Sequence, residues 1–421
     1  ASKIRSWQAM KVSVLQLKKK LKCSLAGAFG LVELVGLWSF FPLLAKTFFP
    51  RSLSSFSKQV DIASKVSEAA KLDASAFSLD EKLALAKGAL KGIGFTNFAK
   101  VIVLCGHKSS SVNNPYASSL DCGACGGNRG GLSARLAALI LNDIDVRLQL
   151  SAEGLLIPPD TTFIAAEHDT TTDLFSLFDV GNLSDAQRII VERLQRDLIE
   201  TGNIVRARRK STLPESCFSK FDDPLARACD WAQIAPEWGL AGNAAFIAAP
   251  RSLSKDADLD GRVFLHSYDC ENDADGKVLE LIMTAPLVVA QWINMQYYLS
   301  SVDNRVFGSG SKVLHNVIGD FGVMQGACSD LKVGLPQQSV SSPEGLRHEP
   351  MRLLALIRAP LASIDGVLSR QKKIMQLVSN RWIRLIALEP HSGEYFEFDE
   401  SGAWRSIKVK NRPGSSKVLA F

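Results

Sequence analysis

Cysteine is scarce in this chain, eight in 421 residues, too few for a disulfide-stapled scaffold of this length. The ordered features of a secretory signal peptide are also missing: no basic start, short apolar core and small-residue cleavage site follow one another. The compartment therefore reads as reducing, where clustered cysteines serve as metal ligands rather than crosslinks. Internal repeats and low-complexity tracts are lacking too. Charge of one sign is absent from most of the chain. Ten Lys and Arg against the single acid Glu33 put the first sixty residues at +9, within a total of +6, which leaves the other 361 at −3. A nucleic-acid footprint would run through the body, so no nucleic-acid partner is expected. What is present, 46% apolar and 22% charged residues, rules out disordered and collagen-like chains. The length suits two or three domain-sized units, or one large irregular one. The opening on Ala1 rather than Met fits a processed terminus or a part of something longer.

Residues 1–60 combine Lys18, Lys19, Lys20 and Lys22 with an apolar stretch from Ser24 to Ala45. That stretch has the length of a bilayer span, with lysines on one flank. Glu33 in its middle, three glycines and Pro42 argue against a span and for a helix docked on a membrane or a membrane partner; a buried core helix is the simpler alternative. A second low-charge window, Leu281–Val302, contains Pro286, Gln291, Asn294 and Gln296, which are costly in lipid and point to a buried, Pro-kinked helix.

The middle alternates between helix and strand. Ser78 with Glu81 fits a capping box, followed by Leu83, Ala86 and Leu90 at helical spacing and then Gly92 and Gly94 as stops. KVIVLC at 100–105 reads as a buried parallel strand, TFIAA at 162–166 as the next. Helices are expected over Ser133–Leu141 and Ser184–Glu200, and further strands over Ala244–Ala249 and Arg262–His266. The fold class is α/β with a partly parallel sheet. The expected division is a basic apolar segment 1–60, an α/β site domain 61–270, and an α/β extension 271–421.

The densest chemical constellation is Cys105-Gly106-His107, then Asp121-Cys122-Gly123-Ala124-Cys125-Gly126-Gly127. Cys105 and His107 share a strand face if extended geometry persists, and Cys122 with Cys125 forms a C-x-x-C. Thiolate and imidazole are the donors zinc prefers. Two arrangements are open: a closed knuckle of Cys105, His107, Cys122 and Cys125, or a site using some of these with ligands from elsewhere. A strand end, a Gly-rich run from Gly123 to Gly131 and a helix start favour the second, because α/β proteins bind ligands at such places. Freed backbone amides there suit an anion, with Arg129 and Arg135 adding charge.

The stretches GHKSSSVNNPYASSLDCGACGGNRGGLSARLAALILN, IPPDTTFIAAEHDTTTD, EWGLAGNAAFIAAPR, GKVLELIMTAPLVVAQWINMQYYLSSVDN, GSGSKVLHNVIGDFGVMQG and HEPMRLL resemble the DabA family over about Ile102–Pro390. The resemblance implies a large soluble subunit of a two-part inorganic-carbon pump, with a site and sheet core like those of β-carbonic anhydrases. It implies zinc on His107 and Cys122 and assigns none to Cys105 or Cys125. The other two ligands of the family lie upstream in a Cys-x-Asp-x-Arg motif that has no convincing copy here. Cys328-Ser329-Asp330-Leu331-Lys332 lies downstream, has Lys for Arg, and reads as a decoy. Lys108 stands where the family usually has glycine.

The chain thus looks like a C-terminal half, completed by an N-terminal DabA portion. The implied activity is CO2 hydration to bicarbonate at the cytoplasmic face of the bacterial inner membrane, as a peripheral protein with a membrane subunit of the DabB type, for which 1–60 is the candidate contact. A structural partner chain with a closed zinc knuckle and no turnover, and a free β-type carbonic anhydrase, remain the alternatives.

Other candidates are weaker. Glu167, His168, Asp169 and Asp173 read as a hydrogen-bonded loop after the second strand, or as groups that support the site or relay protons. His315 and His348 read as structural. Gly308–Lys312 lacks phosphate-loop spacing and reads as a turn. Arg206, Arg208, Arg209 and Lys210 read as a solvated helix end, and Ser109–Ser111 lacks an assignable acid–histidine pair.

Overall fold

A computed structural model describes residues 72–95, 97–113, 120–214, 223–318, 321–324 and 332–408, with 24–50 and a few positions around it. The apolar stretch forms one helix, α1 (Leu25–Phe48), capped by the Ser24 hydroxyl, which accepts from Gly27 N at 2.9 Å. It passes through Pro42 and leaves Phe29, Leu34, Leu37, Trp38 and Phe41 exposed. The Trp231 indole donates to Thr47 Oγ1 at 3.4 Å, which ties its last turn to the body of the protein. Lys18, Lys19 and Lys22 lie outside the described residues.

Helix α2 (Leu79–Ile93) carries the expected capping box: Glu81 N donates to Ser78 Oγ and Ser78 N to the Glu81 carboxylate. Gly94, at φ 74°, closes it in the left-handed conformation that glycine adopts freely. The first sheet orders β1 (Val101–Lys108), β2 (Thr162–Asp169) and β3 (Leu174–Phe178), the first pair parallel and the second antiparallel. A parallel pair needs a crossover. Here it runs through α3 (Gly131–Leu141) and α4 (Ile144–Ala152). These helices and α2 bury Leu90, Leu141, Val146 and Leu150 against Ile102 and Phe163 of the sheet. The opposite face of the sheet packs Ile164 against Val191 of α5 (Asp185–Lys210).

The second sheet has six strands. After α6 (Pro224–Cys229) come β4 (Ala245–Ala249) and β5 (Val263–Ser267); β6 (Leu353–Arg358), β7 (Ile383–Leu388), β8 (Tyr395–Phe398) and β9 (Trp404–Ile407) complete it. Their order is β9-β8-β7-β6-β4-β5, parallel across β7-β6-β4-β5 and antiparallel at β8 and β9. β4 reads AFIAA with every residue buried, the run expected of a strand covered on both faces. This sheet draws strands from both sides of position 270.

The low-charge window is a pair of helices, α7 (Lys277–Thr284) and α8 (Pro286–Val302). They meet at Ala285, whose backbone leaves helical geometry (φ −123°, ψ −76°), with Pro286 opening the second. Together they are long and apolar enough, by length and composition, to cross a membrane. Leu279, Ile282, Met283 and Leu287 nevertheless sit in the core of the second sheet with Leu353 and Ile357, together with Ile364 of α9 (Leu361–Arg370) and Val378 of α10 (Lys372–Ser379). Each such buried side chain contributes about 2 kcal/mol by leaving water. Asn294 also donates to Asn243 Oδ1 at 3.0 Å, a buried polar contact made within the protein. The expected buried helix is therefore found, broken rather than kinked.

Candidate metal centre

The site residues gather where β1 ends. Gly106 faces Gly130 so closely that a Cβ on Gly106 would fall 2.4 Å from the Gly130 carbonyl carbon and oxygen. Only a glycine pair lets the strand and the approach to α3 touch backbone to backbone. The contact is fastened by Gly130 N, which donates to His107 O at 2.8 Å. His107 is half-buried beside His168, its register partner on β2. Burial lowers the tendency of its imidazole to protonate; Asp121 opposes this, His168 adds to it, and Glu167 opposes it. The neutral ring is the form that binds metal.

Cys122 follows Asp121 in a tight loop. Its N–H donates to Asn128 O at 3.0 Å, and its own carbonyl accepts from Cys125 N and Gly127 N. Gly126 and Gly127 take positive φ (67° and 76°) to turn the chain there. The structure thus brings His107 within the electrostatic reach of the residue preceding Cys122. The remaining members of the constellation are placed otherwise: Cys105 is exposed, its thiol on its neighbour's carbonyl, and the Cys125 thiol lies 3.3 Å from Ser133 Oγ. Among the described residues no three His, Cys, Asp or Glu side chains are grouped to hold a metal ion, so the four-residue knuckle is not assembled. The donor chemistry of His107 and Cys122 suits zinc, as half of a four-donor shell. Of the Cys328–Lys332 decoy only Lys332 is among the described residues.

Two expectations are corrected. Glu167, His168 and Asp169 are not a loop: β2 runs on to Asp169. This carries Glu167, buried, beneath the first turn of α3, where its carboxylate accepts from Gly131 N at 3.1 Å and Arg129 Nη2 at 2.7 Å and lies 3.3 Å from Lys108 Nζ. Burial raises its proton affinity, but Arg129 and Lys108 outweigh that and hold the carboxyl below its ordinary range. The helix start that the glycine run offered to an anion is therefore filled by the chain's own carboxylate, and Arg135 is engaged with Asp179 through two contacts of 2.8 Å. Nor is the basic end of α5 wholly solvated. Arg206 donates to Thr172 O at 2.8 Å, and Arg209 donates to Thr170 O and pairs with Asp173. The two clamp the β2–β3 turn, in which Asp173 takes a positive φ of 51°. Arg208 and Lys210 are exposed as expected.

His315 and His348 are structural, as read. His315 Nε2 accepts from Lys332 N at 2.9 Å, and His348 Nδ1 from Gly242 N at 3.0 Å, with burial pushing His348 down to about 4. Gly308–Lys312 is a turn, yet Lys312 is buried.

A polar network beside the site escaped the sequence reading. Ser109 N donates to Asp121 Oδ1 at 2.8 Å, and Ser109 Oγ donates to Glu237 Oε1 at 2.9 Å. Thr171 Oγ1 lies 2.8 Å from Ser109 Oγ and 3.1 Å from the same carboxylate oxygen. Glu237 is 5% exposed. Its only sequence signal is its place at the head of EWGLAGNAAFIAAPR, far from any metal-type residue.

The family model described as "Probable inorganic carbon transporter subunit DabA" matches residues 1–383, extending over the first hundred residues that held none of the resembling stretches. Curated relatives carrying that description include one from Chloroflexus aurantiacus, 47% identical over 332 residues, which are 78% of this chain and 40% of the relative. One from Legionella pneumophila is 43% identical over 403 residues, 93% of this chain and 52% of the relative. Another, from Rhodopirellula baltica, is 41% identical over 402 residues, 94% and 44%. The chain spans about half the length of these relatives. No solved structure matches. With motifs, family model and relatives agreeing over most of its length, the chain belongs to the DabA family.

Proposed function

We propose that this chain is the part of an inorganic-carbon transporter subunit that supplies His107 and Cys122 to a zinc site hydrating CO2 to bicarbonate. What supports the reading is two zinc-type donors, His107 on an edge strand and Cys122 in a loop that Ser109 N ties to that strand through Asp121. β1, which carries His107 one residue before its end, has a strand partner on one side only among the described residues. Gly130 closes that edge at His107, but over Val101–Cys105 it can accept a further parallel strand. A Cys-x-Asp-x-Arg segment from the other half of the protein, added there, would bring the missing donors to the His107 end and complete a core like that of β-carbonic anhydrases. Zinc, when bound, supplies a nucleophilic water at neutral pH. This chain's own residues present a neutral imidazole, hold the Cys122 loop through Asn128, and keep Lys108 and the half-exposed Arg129 nearby, a cationic surrounding for bicarbonate. We assign the protein to the cytoplasmic face of the bacterial inner membrane, with α1 and its basic flank against a membrane subunit of the DabB type.

The test is zinc per chain by elemental analysis, on this chain alone, on the chain with the Cys-x-Asp-x-Arg portion, and on the His107→Ala form of that pair. Near-stoichiometric zinc in the two-part sample alone, lost with His107, is expected. Full zinc on the single chain overturns the split site; zinc that survives His107→Ala overturns the ligand assignment.

A further inference from the structure

Beside the candidate centre lie two buried groups of opposite charge that are not bonded to each other. Glu237 is held by the Ser109 and Thr171 hydroxyls. Lys312, 6% exposed, donates to Asn113 O at 3.3 Å. Asn113 is fixed in turn by Asn316 Nδ2 at 2.5 Å and by its own donation to Trp231 O. Glu237, Lys312, Ser111, Asn113 and Trp238 line one cavity of about 10 Å3, the room a single water needs. A buried carboxylate and ammonium would ordinarily close into a direct pair, because burying either charge alone is costly. Here they face a water-sized space instead, and a hydroxyl joins the carboxylate to Ser109, two residues beyond His107.

We propose that Glu237 is a proton station for the site at the end of β1, reached through the Ser109 hydroxyl and biased by the Lys312 charge. This rests on the function proposed above. Hydration of CO2 by water yields bicarbonate and one proton. Ser109 Oγ passes its own proton to Glu237 Oε1 and takes up the released one. Glu237 becomes a neutral carboxylic acid, and then yields the proton to solvent through the cavity, which has room for one water; the Lys312 ammonium takes no proton and favours the return of Glu237 to carboxylate. Glu237 touches no substrate and acts through Ser109. Burial raises its proton affinity, Ser109 and Thr171 lower it, and so do Arg209 and Lys312; burial brings Lys312 down to about 8. The Tyr297 phenol, which accepts from Leu240 N at 2.8 Å, feels the charge of that carboxylate, and the Asp169 carboxylate accepts from Thr171 N at 3.2 Å. The net effect is a carboxyl of raised proton affinity facing a lysine of lowered proton affinity.

The experiment uses the full-length subunit in complex with its membrane partner. Infrared titration between pH 5 and 9 should show a buried carboxylic C=O band that disappears in Glu237→Gln and shifts its midpoint upward in Lys312→Met, where the stabilising cation is gone. Isotope exchange between CO2 and water should fall about 100-fold in Glu237→Gln, with zinc content unchanged and partial rescue by added imidazole buffer. Glu237→Asp is the second variant should Gln not fold, and should shift the band and the pH profile together. No titrating band, or exchange within twofold of the parent in Glu237→Gln, overturns the station. A parent complex without zinc or exchange overturns the function itself, an outcome distinct from either.

Discussion

Replacing Gly106 by Ala tests the packing that places His107. The added Cβ would meet the Gly130 carbonyl carbon and oxygen at 2.4 Å, about 1 Å inside ordinary contact. Gly106 does not adopt positive φ, so the backbone accepts Ala and the cost is steric. Neither wall can give cheaply. β1 is held in register along all eight residues of its pairing with β2, and the Gly130 carbonyl accepts from Ala134 N at 3.1 Å, opening the helix. A 1 Å retreat breaks the 2.8 Å bond from Gly130 N to His107 O. Overpacking costs about 1–3 kcal/mol and an orphaned buried N–H about 1–3 kcal/mol, so the sum expected is about 2–6 kcal/mol. Gly88 in α2, with nothing within 4 Å of an added Cβ, is the control: Gly88→Ala should stabilise by about 0.5–1 kcal/mol. Urea unfolding reads the totals, and hydrogen exchange reads the place. Amides of 101–108 and 131–141 should lose protection together in Gly106→Ala. Protection and stability within 0.5 kcal/mol of the parent, by the scatter of surface substitutions, would refute the reasoning.

Two further outcomes follow from buried titratable groups. His348 is held neutral at about 4, against about 6.5 in the unfolded chain, so its contribution is full above 6.5 and is lost as pH falls toward 4, at up to about 1.4 kcal/mol per pH unit. His348→Asn keeps an acceptor for Gly242 N and should flatten that part of the acid limb in denaturation midpoints between pH 4 and 7; an unchanged slope would exclude it. Arg209→Met should leave Asp173 buried beside His168 without its cation, cost about 3 kcal/mol, and free the amides of 169–174 to exchange, with Asp173→Asn restoring part of the loss. Exchange at parental rates would mean the clamp carries nothing.

What the sequence made legible was local. β1, β2 and β4 announce themselves as short apolar runs; α2 and α5 carry their caps within four residues of their starts; the C-x-x-C and the preceding histidine mark the site. What it hid depends on contacts between distant residues. Ser109 meets Glu237 across 128 positions and Lys312 meets Asn113 across 199, and no period or motif links them. A lysine in a Gly-Ser turn reads as solvated until the fold closes over it. Likewise, Arg206 and Arg209 look like any basic helix end until the β2–β3 turn is seen beneath them.

The misreading of the glycine run follows from one register. In the parallel pairing of β1 with β2, Gly106 stands opposite Glu167. The missing side chain at Gly106 lets Gly130 descend onto the strand, and that descent sets the first turn of α3 directly over the neighbouring strand, where Glu167 waits. A Cβ on Gly131 would lie 2.6 Å from the Glu167 carboxylate, so that position too is kept bare by the carboxylate below it. Glycines spaced as if to cradle an anion are therefore explained by close packing around an anion the chain already owns. Any bicarbonate approaching the start of α3 competes with a carboxylate fixed by Arg129 and Lys108, and must either displace it or bind on the outer side of those cations, toward His107 and the Cys122 loop. The lysine at 108 belongs to this argument. It lies 3.3 Å from Glu167, behind Arg129 at 2.7 Å, so its charge adds to the hold on that carboxylate, and a residue without charge there would leave Arg129 to hold it without a second cation.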